Sequence, residues 1–228
     1  MIGQRGDILD VKAGNTTEVE KATWPLAYQR SNIVLDALRE PADVLVIGLP
    51  RDFHYGPGMG TNPILMSLAI GVQYSRCAKA LRPDAAIIAA SWCDGWFNDH
   101  WFPSYEETYN SLQNYETPEV FLESDEALRI STDSEYCYRY SNQDTYHPFH
   151  AMSMISGGSV PFKWCSQVYV VGSQQPGIAR SMGYRTMSTM YEALKDVERY
   201  VGKNPRILCT PECYSGGMAV NLISQDAA

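Results

Sequence analysis

The polar residues best placed for chemistry follow an apolar run in the segment Asp43 to Pro63, DVLVIGLPRDFHYGPGMGTNP. Val44, Leu45, Val46 and Ile47 read as a strand buried on both faces. Asp52, His54, Tyr55, Thr61 and Asn62 then lie on a glycine-studded loop. A histidine there can move a proton or hold a ligand, and Asp52 could orient it. Thr61-Asn62-Pro63 reads as a helix start, with Thr61 or Asn62 as N-cap and Pro63 at the first helical position. Strand, glycine loop and helix N-terminus make an anion-binding corner suited to a substrate carboxylate.

Other candidates are thinner. Asp94, in Cys93-Asp94-Gly95, is either a turn residue or an acid/base group. Cys93 needs a nearby base to act as a nucleophile, and the sequence names none. His147 and His150 have i, i+3 spacing, but Pro148 stands between them and no carboxylate motif joins them, so no metal site is assigned. Gly58-Met59-Gly60 approaches a dinucleotide fingerprint. Pro63 replaces its third glycine, and the first glycine sits too far past the strand. No phosphate-loop lysine motif, nucleophile elbow or H-E-x-x-H motif is present. The catalytic residues are therefore unknown from sequence.

The chain has 228 residues, with 18 Lys and Arg against 26 Asp and Glu, a net charge of −8. That balance supplies no basic footprint for nucleic acid. No apolar run approaches a membrane span, and the first residues lack the apolar centre of a signal peptide. Six scattered cysteines without C-x-x-C read as reduced thiols, which predicts a cytoplasmic protein.

The periodicity predicts alternating elements. A helix from Thr16 or Thr17 is interrupted by Pro25 and resumes from Leu26 to Arg39. A helix covers 63–81, a turn falls at Arg82-Pro83-Asp84, and a strand covers Ala85 to Ser91. An aromatic loop with Trp92, Trp96, Phe97, Trp101 and Phe102 follows. Ser104 and Glu107 suggest a capping box. A short helix is expected from Thr117-Pro118 to Leu122. Residues 123–147 read as a polar, tyrosine-rich insertion with helix near 123–129. His150 to Ile155 reads as a short helix ended by Gly157-Gly158. Gln167 to Val171 is a strand, Gln174 to Met182 a short helix, Ser188 to Val201 an amphipathic helix stopped by Gly202, and Arg206 to Cys209 a strand. This order predicts an α/β fold, a Rossmann-like and mostly parallel sheet with helices on both faces. Ligands bind such sheets at the carboxyl ends of the strands, here Pro50 to Asn62, Trp92 to Phe102, Gly172 to Pro176 and Thr210 to Gly217.

The segments from about Ala42 to Ile223 resemble the C-terminal domain of the nickel-dependent lactate racemase family. Four pieces carry the resemblance: ADVLVIGLPRDFHYGPGMGTNP, LRPDAAIIAASWCDGW, FKWCSQVYVVGS with GIARSMGYRTMSTMYEAL, and PRILCTPECYSGG. The resemblance implies two α/β domains with the active site between them, and racemisation or epimerisation of 2-hydroxy acids. It implies a nickel-pincer nucleotide, tethered through a lysine, that takes a hydride from the substrate and returns it to either face. The tether lysine, the acid/base histidines and the nickel-ligating histidine belong to the family's first domain and have no counterpart here. Residues 1–41 then read as a linker or the tail of that missing N-terminal domain, and 42–228 as the C-terminal α/β domain. The partner is the N-terminal catalytic domain of the same protein, and no cofactor is expected on this chain alone. The family's Tyr-Gln-x-x-Lys substrate set falls near Leu68, Ala69 and Val72, which do not match. A different small hydroxy acid is thus expected, contacted by His54, Tyr55, Thr61, Asn62 and Asp94. The alternatives are an NAD(P)-binding oxidoreductase domain, or a non-enzymatic interaction domain whose tryptophan loop docks a partner.

Overall fold

The computed structural model describes residues 10–52, 55–56, 58–211 and 220–227. His54, Cys213, Gly216 and Gly217 lie outside the described residues. The strands are β1 (Asn32–Val34), β2 (Ala42–Gly48), β3 (Leu81–Ala90), β4 (Gln167–Val171), β5 (Arg185–Met187), β6 (Ile207–Thr210) and β7 (Asn221–Ile223). The α-helices are α1 (Thr16–Ser31), α2 (Pro63–Cys77), α3 (Tyr105–Leu112), α4 (Pro118–Leu122), α5 (Asp125–Ser131), α6 (Ser134–Asn142), α7 (Phe149–Trp164), α8 (Pro176–Ser181) and α9 (Met190–Val201).

Five strands form one parallel sheet in the order β5-β4-β3-β2-β6. The chain runs outward from β2 to β5 and then returns to the other side of β2. The topological switch point therefore lies between β2 and β6, whose carboxyl ends lead into the two loops where a ligand is expected in such a sheet. Burial on both faces explains the near-continuous apolar runs of β2 and β3. On one face Leu45, Ile47, Ile87, Val168 and Val170 pack with α2 and α7; on the other Val44, Ala86, Ile88 and Tyr169 meet Ala193 and Val197 of α9. This is the α/β layer that the alternation of segments predicts.

Several local expectations change for physical reasons. Helix α1 runs through Pro25 and is capped by Asn15. None of its residues is buried, so water can satisfy the carbonyl that Pro25 leaves without a donor. Ile33 and Val34, expected in a helix, instead form β1, paired in parallel with β7. β-branched side chains favour that choice. The pairing continues through Leu35 N to Ile223 O and Gln225 N to Leu38 O, so residues 32–39 are stitched to 221–225 across the expected boundary at 41. Arg82-Pro83-Asp84 forms an irregularity inside β3, where Asp84 has φ 60° and the register with β2 shifts. Ser104 does not cap α3. Its hydroxyl donates to Pro148 O, and Glu107 pairs with Arg129 and Tyr136 instead.

The largest difference is at Gly157-Gly158, read as a helix stop. Helix α7 continues through both glycines to Trp164. They are there because α2 crosses almost backbone to backbone. A Cβ on Gly71 of α2 would lie 2.1 Å from Gly157 O, and one on Gly158 would lie 2.2 Å from Ser67 Oγ. Gly71→Ala is expected to destabilise the fold by about 1–3 kcal/mol, the cost of overpacking. Gly177→Ala, whose Cβ meets nothing closer than 4.0 Å, is the control and is expected to be neutral or slightly stabilising. Urea unfolding of both variants checks the pair, and equal stability would contradict the crossing.

Candidate functional site: the carboxyl rim of the sheet

Asn62 anchors the rim. Its side chain is fully buried. Its Oδ1 accepts from Ile64 N and Leu65 N at 3.0 and 3.2 Å, so it is the N-cap of α2. Its Nδ2 donates to Trp96 O at 3.0 Å. One amide thus starts the helix after β2 and holds the loop after β3. Thr61 is equally buried, and its hydroxyl donates to Gly58 O at 2.7 Å. Asp52 Oδ1 accepts from Gly58 N, so it closes its own loop. Sequence reasoning set Thr61 and Asn62 on the cleft face; the structure turns both into the protein.

The neighbouring loops are joined in the same way. Cys93 O accepts from Ser173 Oγ and Gln175 N, and Trp92 O accepts from Gln174 N. Asp94 is half-buried, and its Oδ1 accepts from Trp96 N, an Asx turn. Cys93 is buried, and that burial pushes its thiol up to about 11, so it stays protonated and is not a nucleophile at neutral pH. Trp92 and Trp96 are 51% and 45% exposed on this rim.

The glycines of the loop are filled by protein. A Cβ on Gly60 would lie 2.1 Å from Pro50 O, and Gly58, at φ 74°, sits against the Trp96 ring. At the switch point a Cβ on Gly48 would lie 2.0 Å from Pro211 O. These glycines allow loops to meet, and the space a pyrophosphate would need above Gly58 and Gly60 is taken.

Beside the rim stands a group that sequence reasoning missed. Tyr55, Phe102, Tyr105 and Tyr146 surround His150. Ring centroids lie 5.4 Å from Tyr55 to His150 and 4.5 Å from Tyr146 to His150, and Phe102 stacks on Tyr146 at 4.4 Å. Tyr55, Gly56, Trp101, Asp144 and Tyr146 line a cavity of about 310 Å³ against this cluster. The Tyr105 hydroxyl lies 2.8 Å from His150 Nδ1. Burial holds the His150 pKa below 6.5 and pushes the Tyr105 phenol well above its usual range. At neutral pH both groups are therefore uncharged, and a hydrogen bond joins the phenol to a neutral imidazole. The cluster joins loop and helix residues far apart in sequence, so no local pattern announces it. Only the aromatic density of 92–102 hinted at it.

The remaining sequence candidates separate. His147 Nδ1 accepts from Phe149 N and does not join His150. Among the described residues no group of three or more His, Cys, Asp or Glu could hold a metal ion. Three lysines are engaged elsewhere: Lys79 bonds Tyr28, Lys163 pairs with Glu119, and Lys195 pairs with Glu198. The described residues thus do not fit a tethered nickel nucleotide, and no reaction step is assigned to one here. Leu68 and Val72 are half-buried and Ala69 is buried along α2. Of the described cysteines, Cys93, Cys137, Cys165 and Cys209 are free thiols. Among the described residues no helix is long and apolar enough to cross a membrane.

No protein-family profile matches the sequence, and no curated protein matches it. Among solved structures, the chain is similar to the lactate racemase apoprotein from Thermoanaerobacterium thermosaccharolyticum, at 16% identity and a TM-score of 0.48. The likeness covers 92% of this chain, which spans 41% of that protein's length.

The burial of His150 has a measurable consequence. The folded pKa is depressed, so its contribution to stability is fully present above about pH 6.5 and is lost as pH falls below that value toward the folded pKa. His150→Gln is expected to flatten the fall in melting temperature between about pH 6.5 and 5. Parallel pH profiles for the two proteins would contradict the half-buried neutral imidazole.

Proposed function

We propose that this chain is the substrate-side domain of a 2-hydroxy-acid racemase or epimerase of the nickel-pincer type. The carrying observation is where the four resembling segments fall. They form β2, β3, β4, β5 and β6, all five strands of the parallel sheet, together with the described parts of the loops at their carboxyl ends. The pieces that resemble the family are thus the ones that build the rim.

The construction of that rim favours a wall over a complete active site. Its buried polar groups bond one another, while Trp92 and Trp96 stand exposed above them. A tryptophan-bearing surface suits docking of a second domain, which would carry the cofactor and the hydride chemistry. In this reading the substrate meets the half-buried Tyr55 and Asp94, with His54 on the same loop. Thr61 and Asn62 act behind them by holding the loops. The filled space above Gly58 and Gly60 disfavours a nicotinamide dinucleotide domain.

The test uses the protein encoded by the complete reading frame, produced with nickel and the enzymes that make the cofactor. Chiral chromatography reads the interconversion of D- and L-2-hydroxy acids. The reading predicts bound nickel and interconversion. It also predicts that Asp94→Asn and Tyr55→Phe raise KM about 3- to 30-fold with a smaller change in kcat. Nickel-free protein that interconverts no hydroxy acid would refute it.

A further inference from the structure

The far end of α2 carries a different kind of site. A cleft of about 340 Å³ opens between α1, the C-terminal turn of α2 and the short β1/β7 sheet. Trp24, Tyr28, Asn32, Arg76, Lys79 and Asn221 are among its lining residues. With 15 residues in α2, this cleft lies about 22 Å along the helix from the Asn62 cap. It is separate from the rim.

We propose that this cleft binds a small organic anion that carries an aromatic ring. The chain has 26 acidic against 18 basic residues, yet Arg76 and Lys79 are the charged side chains that line the cleft. Lys79 Nζ donates to the Tyr28 hydroxyl at 2.9 Å and lies 5.3 Å from that ring's centroid. The tyrosine therefore fixes the ammonium at the cleft and leaves two of its three N–H groups for an anion. Among the described residues no carboxylate forms an ion pair with Lys79.

A favourable interaction with the α2 dipole explains a cation in its last turn. It does not explain the aromatic side. Helix α1 buries none of its residues, and Trp24 remains 64% exposed at the cleft. Asn221 Nδ2 donates to Asn32 Oδ1 at 3.1 Å, which fixes both amides where the short sheet meets the cleft. Two aromatic side chains, the Lys79 ammonium and two fixed amides in a volume near 340 Å³ match one ring with one carboxylate or phosphate. The ring would lie against Trp24 and Tyr28, and the anion would meet Lys79.

The test is calorimetric titration of the whole chain with phenyl phosphate, followed in parallel by tryptophan fluorescence. Methyl phosphate offers the anion without the ring, and benzyl alcohol the ring without the anion. Phenyl phosphate is expected to bind more tightly than both. Lys79→Gln is expected to weaken it about tenfold or more, the loss of one charge-assisted hydrogen bond. Trp24→Ala is expected to weaken it and remove the fluorescence change, while Trp24→Tyr retains part of the affinity. Both positions are exposed, and circular dichroism checks that each variant is folded. Equal affinity in Lys79→Gln, equal binding of methyl phosphate, or no saturable binding up to about 10 mM would each overturn the proposal.

Discussion

One buried amide holds the functional end of this molecule together. Asn62 satisfies two N–H groups of the first turn of α2 and reaches across to Trp96 O. Helix N-termini leave backbone donors without partners, and the cap must meet them because this one is buried. The second half of the same side chain fixes the loop after β3 to the loop after β2. Thr61 and Asp52 close their own loop onto Gly58, and Ser173 ties the loop after β4 to Cys93 O in the loop after β3. The rim is consequently built of engaged polar groups beneath exposed tryptophans. That division of labour is what a cleft wall requires: rigidity below and contact surface above.

The same economy of space governs the body of the fold. Helices α2 and α7 cover one face of the sheet, and they meet closely because Gly71, Gly157 and Gly158 have no side chains to separate them. Helix α2 therefore lies against β2, with its N-terminus at the rim and its basic C-terminus at the α1 cleft. Its position fixes both places to which function is assigned. Among the described residues, helix α9 covers the opposite face, through Ala193 and Val197.

Much of this was legible in the sequence because the signals were local. The apolar runs of β2, β3 and β4, the Asn62-Pro63 helix start and the amphipathic pattern of α9 each name their element. What was not legible depends on distant partners. Gly157-Gly158 looks like a helix stop until α2 is placed beside it. Ile33 and Val34 become a strand only because β7 returns to pair with them. His150 becomes a half-buried neutral imidazole only when Tyr55, Phe102, Tyr105 and Tyr146 converge on it. Asn62 shows the same limit from the other side. Its residue type fitted a cap and a substrate contact equally well, and only burial distinguishes the two.

Hydrogen exchange on Asn62→Ser tests the central claim most directly. A serine keeps an N-cap acceptor for α2 but cannot reach Trp96 O. The account predicts that amides of the first turn of α2, such as Met66, stay protected, while those of the 96–102 loop exchange markedly faster. Unchanged protection of the 96–102 loop would show that the rim does not depend on the Asn62 tie.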